Sequence, residues 1–166
     1  GRTTKDVTTL QTNVLTAIAS YNNDTLEDFA GMFRYSQLLQ NINEADTSIL
    51  SNITTVKMYK YFTPTLSSSL KYTLAFNNAL YNPHSGHNST GGGIVSSSGF
   101  KISNDSSVNE HFLDDDGAGV VRAYYLSGTT RVYTDSTFGT VDYATGEVIL
   151  TSANITSISN VDGATS

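Results

Sequence analysis

The 166-residue sequence has no cysteine, no tryptophan and only two prolines. Without cysteine there is no disulfide framework, no thiolate nucleophile and no Cys-ligated zinc. The redox compartment stays open, because such a chain folds in reducing or oxidising surroundings alike. Charge is scarce too: 14% of residues are charged, and 38% are hydrophobic. Ser, Thr, Asn and Gly fill the balance, a composition closer to extracellular or particle-forming β proteins than to a cytosolic enzyme. No apolar run approaches the ~20 residues of a membrane-spanning helix. The opening Gly1-Arg2-Thr3-Thr4-Lys5-Asp6 leads into no apolar core, so a signal peptide is not expected. It reads instead as a cut inside a larger protein, with Gly1 a remnant.

Nine basic residues against fifteen acidic ones give a net charge of −6. Nucleic-acid binding needs clustered Lys and Arg to neutralise phosphates. Here they are scattered singly, so neither nucleic acid nor an anionic membrane surface is an expected partner. The length favours one domain. A chain of this size buries roughly two thirds of the surface its unfolded form exposes.

What is present is periodicity. Val7, Leu10, Val14, Ile18 and Tyr21 recur every three or four residues, predicting a helix over 5–21 with one apolar face. Its Thr- and Asn-rich polar face has modest propensity, so packing must hold it. Asp24 with Glu27 fits a capping box, but Gly31 follows, so the second helix is placed from Phe33, with Leu38, Leu39 and Ile42 as its stripe. From Ile53 the period changes to two, through Val56, Met58 and Phe62, predicting a long strand that Pro64 stops. Leu70, Tyr72, Leu74 and Phe76 predict the returning strand.

Residues 77–92 are dominated by turn formers and read as a loop. A strand is expected over 94–103, with Gly99 at a bulge. Asp114-Asp115-Asp116-Gly117 reads as a tight, solvated acidic turn. From Gly119 to Leu150, short runs rich in Val, Ile and Tyr are each closed by a Gly-bearing turn, the pattern of an antiparallel meander. One last short strand is expected around Ile155 and Ile158. The predicted class is α+β: two N-terminal helices packed on a mostly antiparallel sheet, followed by a β-meander. A single domain over 1–166 would comprise a helix-helix-strand-strand part (1–76), the loop (77–92) and the meander part (93–160).

The chemistry-bearing candidates are few. His84 and His87 stand three apart in a loop, and His111 is the third histidine; zinc would want three or four converging ligands. The acidic run 114–117 is an incomplete calcium loop, with Ala118 where an oxygen ligand is needed and no closing Glu. Asp142 and Glu147 could pair as glycosidase carboxylates, but they flank what reads as a hairpin turn. No Gly-x-Ser-x-Gly elbow and no phosphate loop is present; Gly91-Gly92-Gly93 is a spacer. The Asn-x-Ser/Thr matches at Asn23, Asn52, Asn88, Asn104 and Asn154 are chance matches in such a composition. Arg34 is placed to pair with Glu44, Asp46 or a backbone carbonyl, orienting its helix. No catalytic, cofactor-binding or metal residue is assigned, and no cofactor or small-molecule substrate is expected.

Phe33-Arg34-Tyr35-Ser36, the helix to Ile42-Asn43-Glu44-Ala45-Asp46, and Ser48-Ile49 and Ser51-Asn52 leading to Val56-Lys57-Met58 form a recognisable order. It resembles the C-terminal region of contractile-tail phage baseplate wedge proteins, of the T4 gene 6 product type and, more distantly, the baseplate J-like type. Gly139-Thr140-Val141-Asp142-Tyr143 with Thr145-Gly146 and Val148 resembles a hairpin near the end of those proteins. The likeness is one of pattern and order over most of residues 5–155, with 77–92 and 104–117 outside it. It implies a non-enzymatic structural protein of the virion tail baseplate, assembled in the host cytoplasm. It implies homodimer formation and contact with other wedge proteins. The alternative, a carbohydrate-binding or adhesin-like β-rich domain, rests on the same composition and the ten tyrosines, but lacks the tryptophan that sugar platforms favour.

Overall fold

Two apolar periodicities divide the chain, one helical and one of period two, and the structure follows that division. The computed structural model describes residues 5–27, 33–87, 93–105 and 109–159. Two compact units result, Gly1–Lys57 and Met58–Ser166.

The first unit holds α1 (Val7–Tyr21), a wider π-type turn at Asn22–Leu26, and α2 (Tyr35–Glu44). Both helices lie where the apolar spacing puts them. Their shared core is small: Tyr21, Leu38 and Ile42, with Val14, Leu26 and Phe33 against them. Phe33 meets the Tyr21 ring edge-on at 6.2 Å. The Tyr21 hydroxyl accepts from the Arg34 amide (2.7 Å) and lies 3.1 Å from the Arg34 carbonyl. A buried phenol needs such partners, and here they fix the entry to α2. The carboxylate Arg34 was expected to meet is taken elsewhere. Asp46, buried, accepts from Lys5 Nζ (2.5 Å), Asn13 Nδ2 (3.0 Å), and the Ser48 amide and hydroxyl. It ties the start of α1 to the end of α2. The Gly31 region of the sequence reading lies outside the described residues.

The second unit is a β-barrel. Its strands are β1 (Ser69–Ala75), β2 (Phe100–Ile102), β3 (His111–Asp115), β4 (Val120–Ser127), β5 (Thr130–Asp142) and β6 (Glu147–Ile158). β3 to β6 run as consecutive antiparallel hairpins, the meander expected from the sequence. The expected arrangement, a mostly antiparallel sheet followed by a separate meander, needs correction. β2 pairs with both β3 and β6, and β6 pairs with β5, so five strands close into a ring. Closure removes the edges that an open meander would leave. β1 adds outside the ring, antiparallel to β6.

The core lines the ring: Phe100, Ile102, Leu113, Val121, Ala123, Phe138, Val141, Val148, Leu150, Ala153 and Ile155. On β6 the buried positions are 148 and 150, then 153 and 155. A period of two cannot produce that switch of parity. The register supplies the reason: Tyr72 faces Leu150 but Leu70 faces Ala153, so three steps on β6 oppose two on β1. This bulge turns the second half of β6 inward again. Ile155 and Ile158 thus continue β6 rather than forming a separate short strand.

Three further sequence expectations are corrected. Residues 53–62, predicted as a long strand, join no ladder. Their alternation supplies two faces but no partner, and the partner of β1 lies 72 or more residues further on in β6. The strand expected over 94–103 shrinks to Phe100–Ile102, and its irregularity falls between Lys101 and Ile102 rather than at Gly99. Asp114 and Asp115 are strand residues, both buried, and not a solvated turn. The turn begins at Asp116.

Candidate functional site

Alternation along β3 sends Asp114 and Asp115 to opposite faces. Asp114 pairs in register with Arg122 on the outer face. Its Oδ1 accepts from Arg122 Nε (2.9 Å), and its Oδ2 from an Arg131 guanidinium nitrogen (2.7 Å) and the Tyr133 hydroxyl (2.8 Å). The two guanidinium groups lie over rings, Arg122 on Tyr133 (4.4 Å) and Arg131 on Tyr124 (4.7 Å). Burial, then the Asp114 carboxylate, raises the pKa of Tyr133. Arg131 is raised as well: burial opposes its charge, but Tyr124, Tyr133 and Asp114 outweigh that. Two cations and a phenol thus share one carboxylate, through charge-assisted hydrogen bonds.

Asp115 faces the barrel interior beside Leu113 and Val121, at one mouth. Oδ1 accepts from the Ile94 (2.7 Å) and Val95 (2.6 Å) amides, and Oδ2 from the Tyr143 hydroxyl (2.5 Å) and the Gly117 amide (3.1 Å). One carboxylate thereby pins three segments: the chain before β2, the β3–β4 turn and the β5–β6 turn. Gly93 permits this approach, since it has φ +70° and any Cβ there would collide with the Asp115 carboxylate. Burial and the neighbouring Asp115 push the Tyr143 pKa up strongly. Asp114 thus accepts three hydrogen bonds and Asp115 four. Sequence reasoning missed both, and the signal that could have found Asp114 is the arginine that faces it across the ladder.

The other candidates sort as follows. His84 Nε2 and His87 Nδ1 lie 3.1 Å apart in an exposed loop, with Tyr81 edge-on to His87. His111 sits apart from them, fully buried on β3, between Thr134 (2.9 Å) and Asp105 (3.1 Å) at Nε2 and the Asn109 carbonyl at Nδ1. Among the described residues no three His, Asp or Glu side chains converge as metal ligands would. Asp142 caps its own turn, accepting from the Ala144 amide (2.9 Å), and the Thr145 and Ala144 hydrogen bonds lower its pKa. Glu147 faces it across the ladder as the first residue of β6. Asp116 likewise binds the Ala118 and Val120 amides. Burial opposes its ionisation, but those amides and Arg122 lower its pKa overall. No helix among the described residues is long and apolar enough to cross a membrane.

The feature left without a structural role is a run of exposed apolar residues. Leu50 is 96% exposed and Ile53 fully so; Tyr59 and Tyr61 are about three-quarters exposed, and Val56, Phe62 and Leu66 are also exposed. Among the described residues, 50–66 take part in no backbone–backbone hydrogen bond. On α1, Val7, Leu15 and Ile18 of the apolar side are exposed too. Isolated exposed apolar residues are ordinary, but a sustained run marks an interaction surface.

No curated protein and no solved structure matches the chain significantly. A family model does match, over residues 1–61: baseplate structural protein gp6, C-terminal domain III. The matched span holds α1, α2 and most of the exposed run, and it ends at Tyr61. Residues 1–61, less than half of the chain, are therefore similar to the gp6 C-terminal domain III family, and that similarity indicates a baseplate structural protein.

Proposed function

We propose that the chain acts in baseplate wedge assembly by pairing with a second copy of itself and by binding other wedge proteins, with no catalytic step. The observation that carries this is the exposed run from Leu50 to Leu66, which takes part in no backbone–backbone hydrogen bond. Such a segment presents large aromatic area together with main-chain groups that belong to no ladder, the combination that interfaces use. The multiply hydrogen-bonded carboxylates Asp114 and Asp115 support a non-catalytic reading, because general acid–base work needs a group free to exchange a proton. The proposed setting is assembly in the host cytoplasm and residence in the virion tail.

Sedimentation velocity of the 166-residue chain over a rising concentration series tests self-association. A concentration-dependent dimer is expected, weakened by Tyr59→Ser with Tyr61→Ser. A chain that stays monomeric at the highest concentration removes pairing as an intrinsic property.

A further inference from the structure

β1 is the strand of the second unit with a single ladder partner among the described residues; each strand of the ring has at least two. Its other edge is not left bare. Residues 58–62 run beside it in the opposite sense, joined by side chains alone. Lys60 Nζ donates to the Ala75 carbonyl (2.5 Å), the Phe62 and Tyr72 rings lie 5.2 Å apart, and the Thr65 amide donates to the Tyr72 hydroxyl (2.9 Å). No main-chain hydrogen bond links the two. Past the Phe62–Tyr72 contact the two part at the Ala75 end of β1 around an open cleft of about 490 Å³, with residues 58–61 on one wall and 75–77 on the other. Adjacent paired strands sit ~4.8 Å apart and leave no such space. Asn77, with φ +56°, turns the chain at the end of that wall.

The stretch of sequence that forms this cleft carries charge of one sign, although Ala75 of its wall pairs with Glu147 on β6. From Thr47 to Asn104 the sequence contains no Asp or Glu, while it contains Lys57, Lys60, Lys71 and Lys101. All fifteen acidic residues lie outside that stretch, in a chain of net charge −6. Lys60 and Lys71 stand on the cleft wall and on β1, both exposed.

We propose that this cleft is a strand-addition site for an extended, acidic segment of a partner protein, which enters beside β1 and pairs with its open edge. Main-chain hydrogen bonds to β1 supply the affinity, and alternate carboxylates meeting Lys60 and Lys71 supply the selection. Entry displaces Lys60 from the Ala75 carbonyl and makes its ammonium available to the incoming carboxylate. The proposal rests on reading the chain as an assembly protein, and it names the chemistry of one partner.

The test is titration calorimetry of the whole chain with a capped decapeptide alternating valine and glutamate, with a valine–lysine decapeptide as comparison. A third probe is the valine–glutamate peptide N-methylated at the alternate amides of one edge. Saturable binding of the first peptide alone is expected, and Lys60→Glu with Lys71→Glu should weaken it about tenfold or more. These are exposed side chains, so circular dichroism should show the variant folded. Equal binding of the lysine peptide, indifference to N-methylation, or no binding up to about 1 mM peptide overturns the proposal. Sedimentation of the same samples separates it from the broader reading. A chain that dimerises but takes no peptide defeats the cleft proposal alone. A dimer dispersed by the double variant makes a second copy the occupant and also defeats it.

Discussion

Tyr143 donates its hydroxyl proton to Asp115 Oδ2 at 2.5 Å, across the end of the barrel. The pair joins the β5–β6 turn to the last residue of β3. Its partner amides at Ile94 and Val95 remain if the phenol is removed. Tyr143→Phe should therefore cost about 1–2 kcal/mol, and Asp115→Ala, which strands three amides and the phenol, about 3–5 kcal/mol. Urea denaturation measures both. The alkaline limb gives a second signature. The folded pKa of Tyr143 is raised, so its contribution is full below the ordinary tyrosine value of about 10 and is lost as pH climbs above it. Wild-type stability should fall from about pH 10 upward, and Tyr143→Phe should flatten that fall; an unchanged slope would show that other groups govern it.

Where a local pattern decides structure, the sequence was readable. The helical spacing of Val14, Tyr21, Leu38 and Ile42 located α1 and α2, and the alternation of Tyr72 and Leu74 located β1. The Gly-bearing turns located the meander. What depends on distant pairing was not readable. Nothing between Ile53 and Phe62 says that a period-two segment will find no ladder. Closure by Phe100–Ile102 is a three-residue strand with no pattern of its own. The acidic run at 114–116 misled because its turn-like composition concealed a cross-strand arginine and a second arginine two strands away.

Asp46 gives the first unit an acid limit. The Lys5 ammonium, then the Ser48 amide and hydroxyl, hold its carboxyl well below the usual carboxylate range. A depressed folded pKa stabilises fully above the ordinary value of about 4 and is lost as pH falls below it. Helical circular dichroism should therefore decline below about pH 4. Asp46→Asn should lower the neutral-pH signal and remove that acid dependence. A variant that keeps the wild-type acid profile would assign it to another carboxylate.

Gly139 controls closure of the ring. It pairs with Leu150, and a Cβ there would collide with the Ile149 carbonyl. That obstacle is ladder backbone, which cannot rotate away. Gly139→Val should destabilise by about 2–4 kcal/mol, the range for overpacking with loss of paired backbone. Gly128→Ala is the comparison: it lies in the β4–β5 turn at φ +64° with open space around it. Its cost should be about 1 kcal/mol, from the left-handed backbone alone. Equal midpoint shifts for the two in urea would refute the steric account.

Tyr59, Tyr61 and Ile53 should separate assembly from folding. Each is exposed by three-quarters or more and contributes little to either core. Replacing all three with serine should therefore alter unfolding free energy by about 0.5 kcal/mol or less per site, the usual effect at surface positions. Contact with partners should suffer far more, because a buried tyrosine at an interface centre commonly contributes 2 kcal/mol or more, ~30-fold in affinity. The measurement is paired: urea unfolding of the triple variant, and its incorporation into baseplates when it is supplied in place of the wild-type protein. Wild-type stability with lost incorporation is the expected outcome. Full incorporation would mean that this run is surface without a partner, and the exposed side of α1 would become the next place to look.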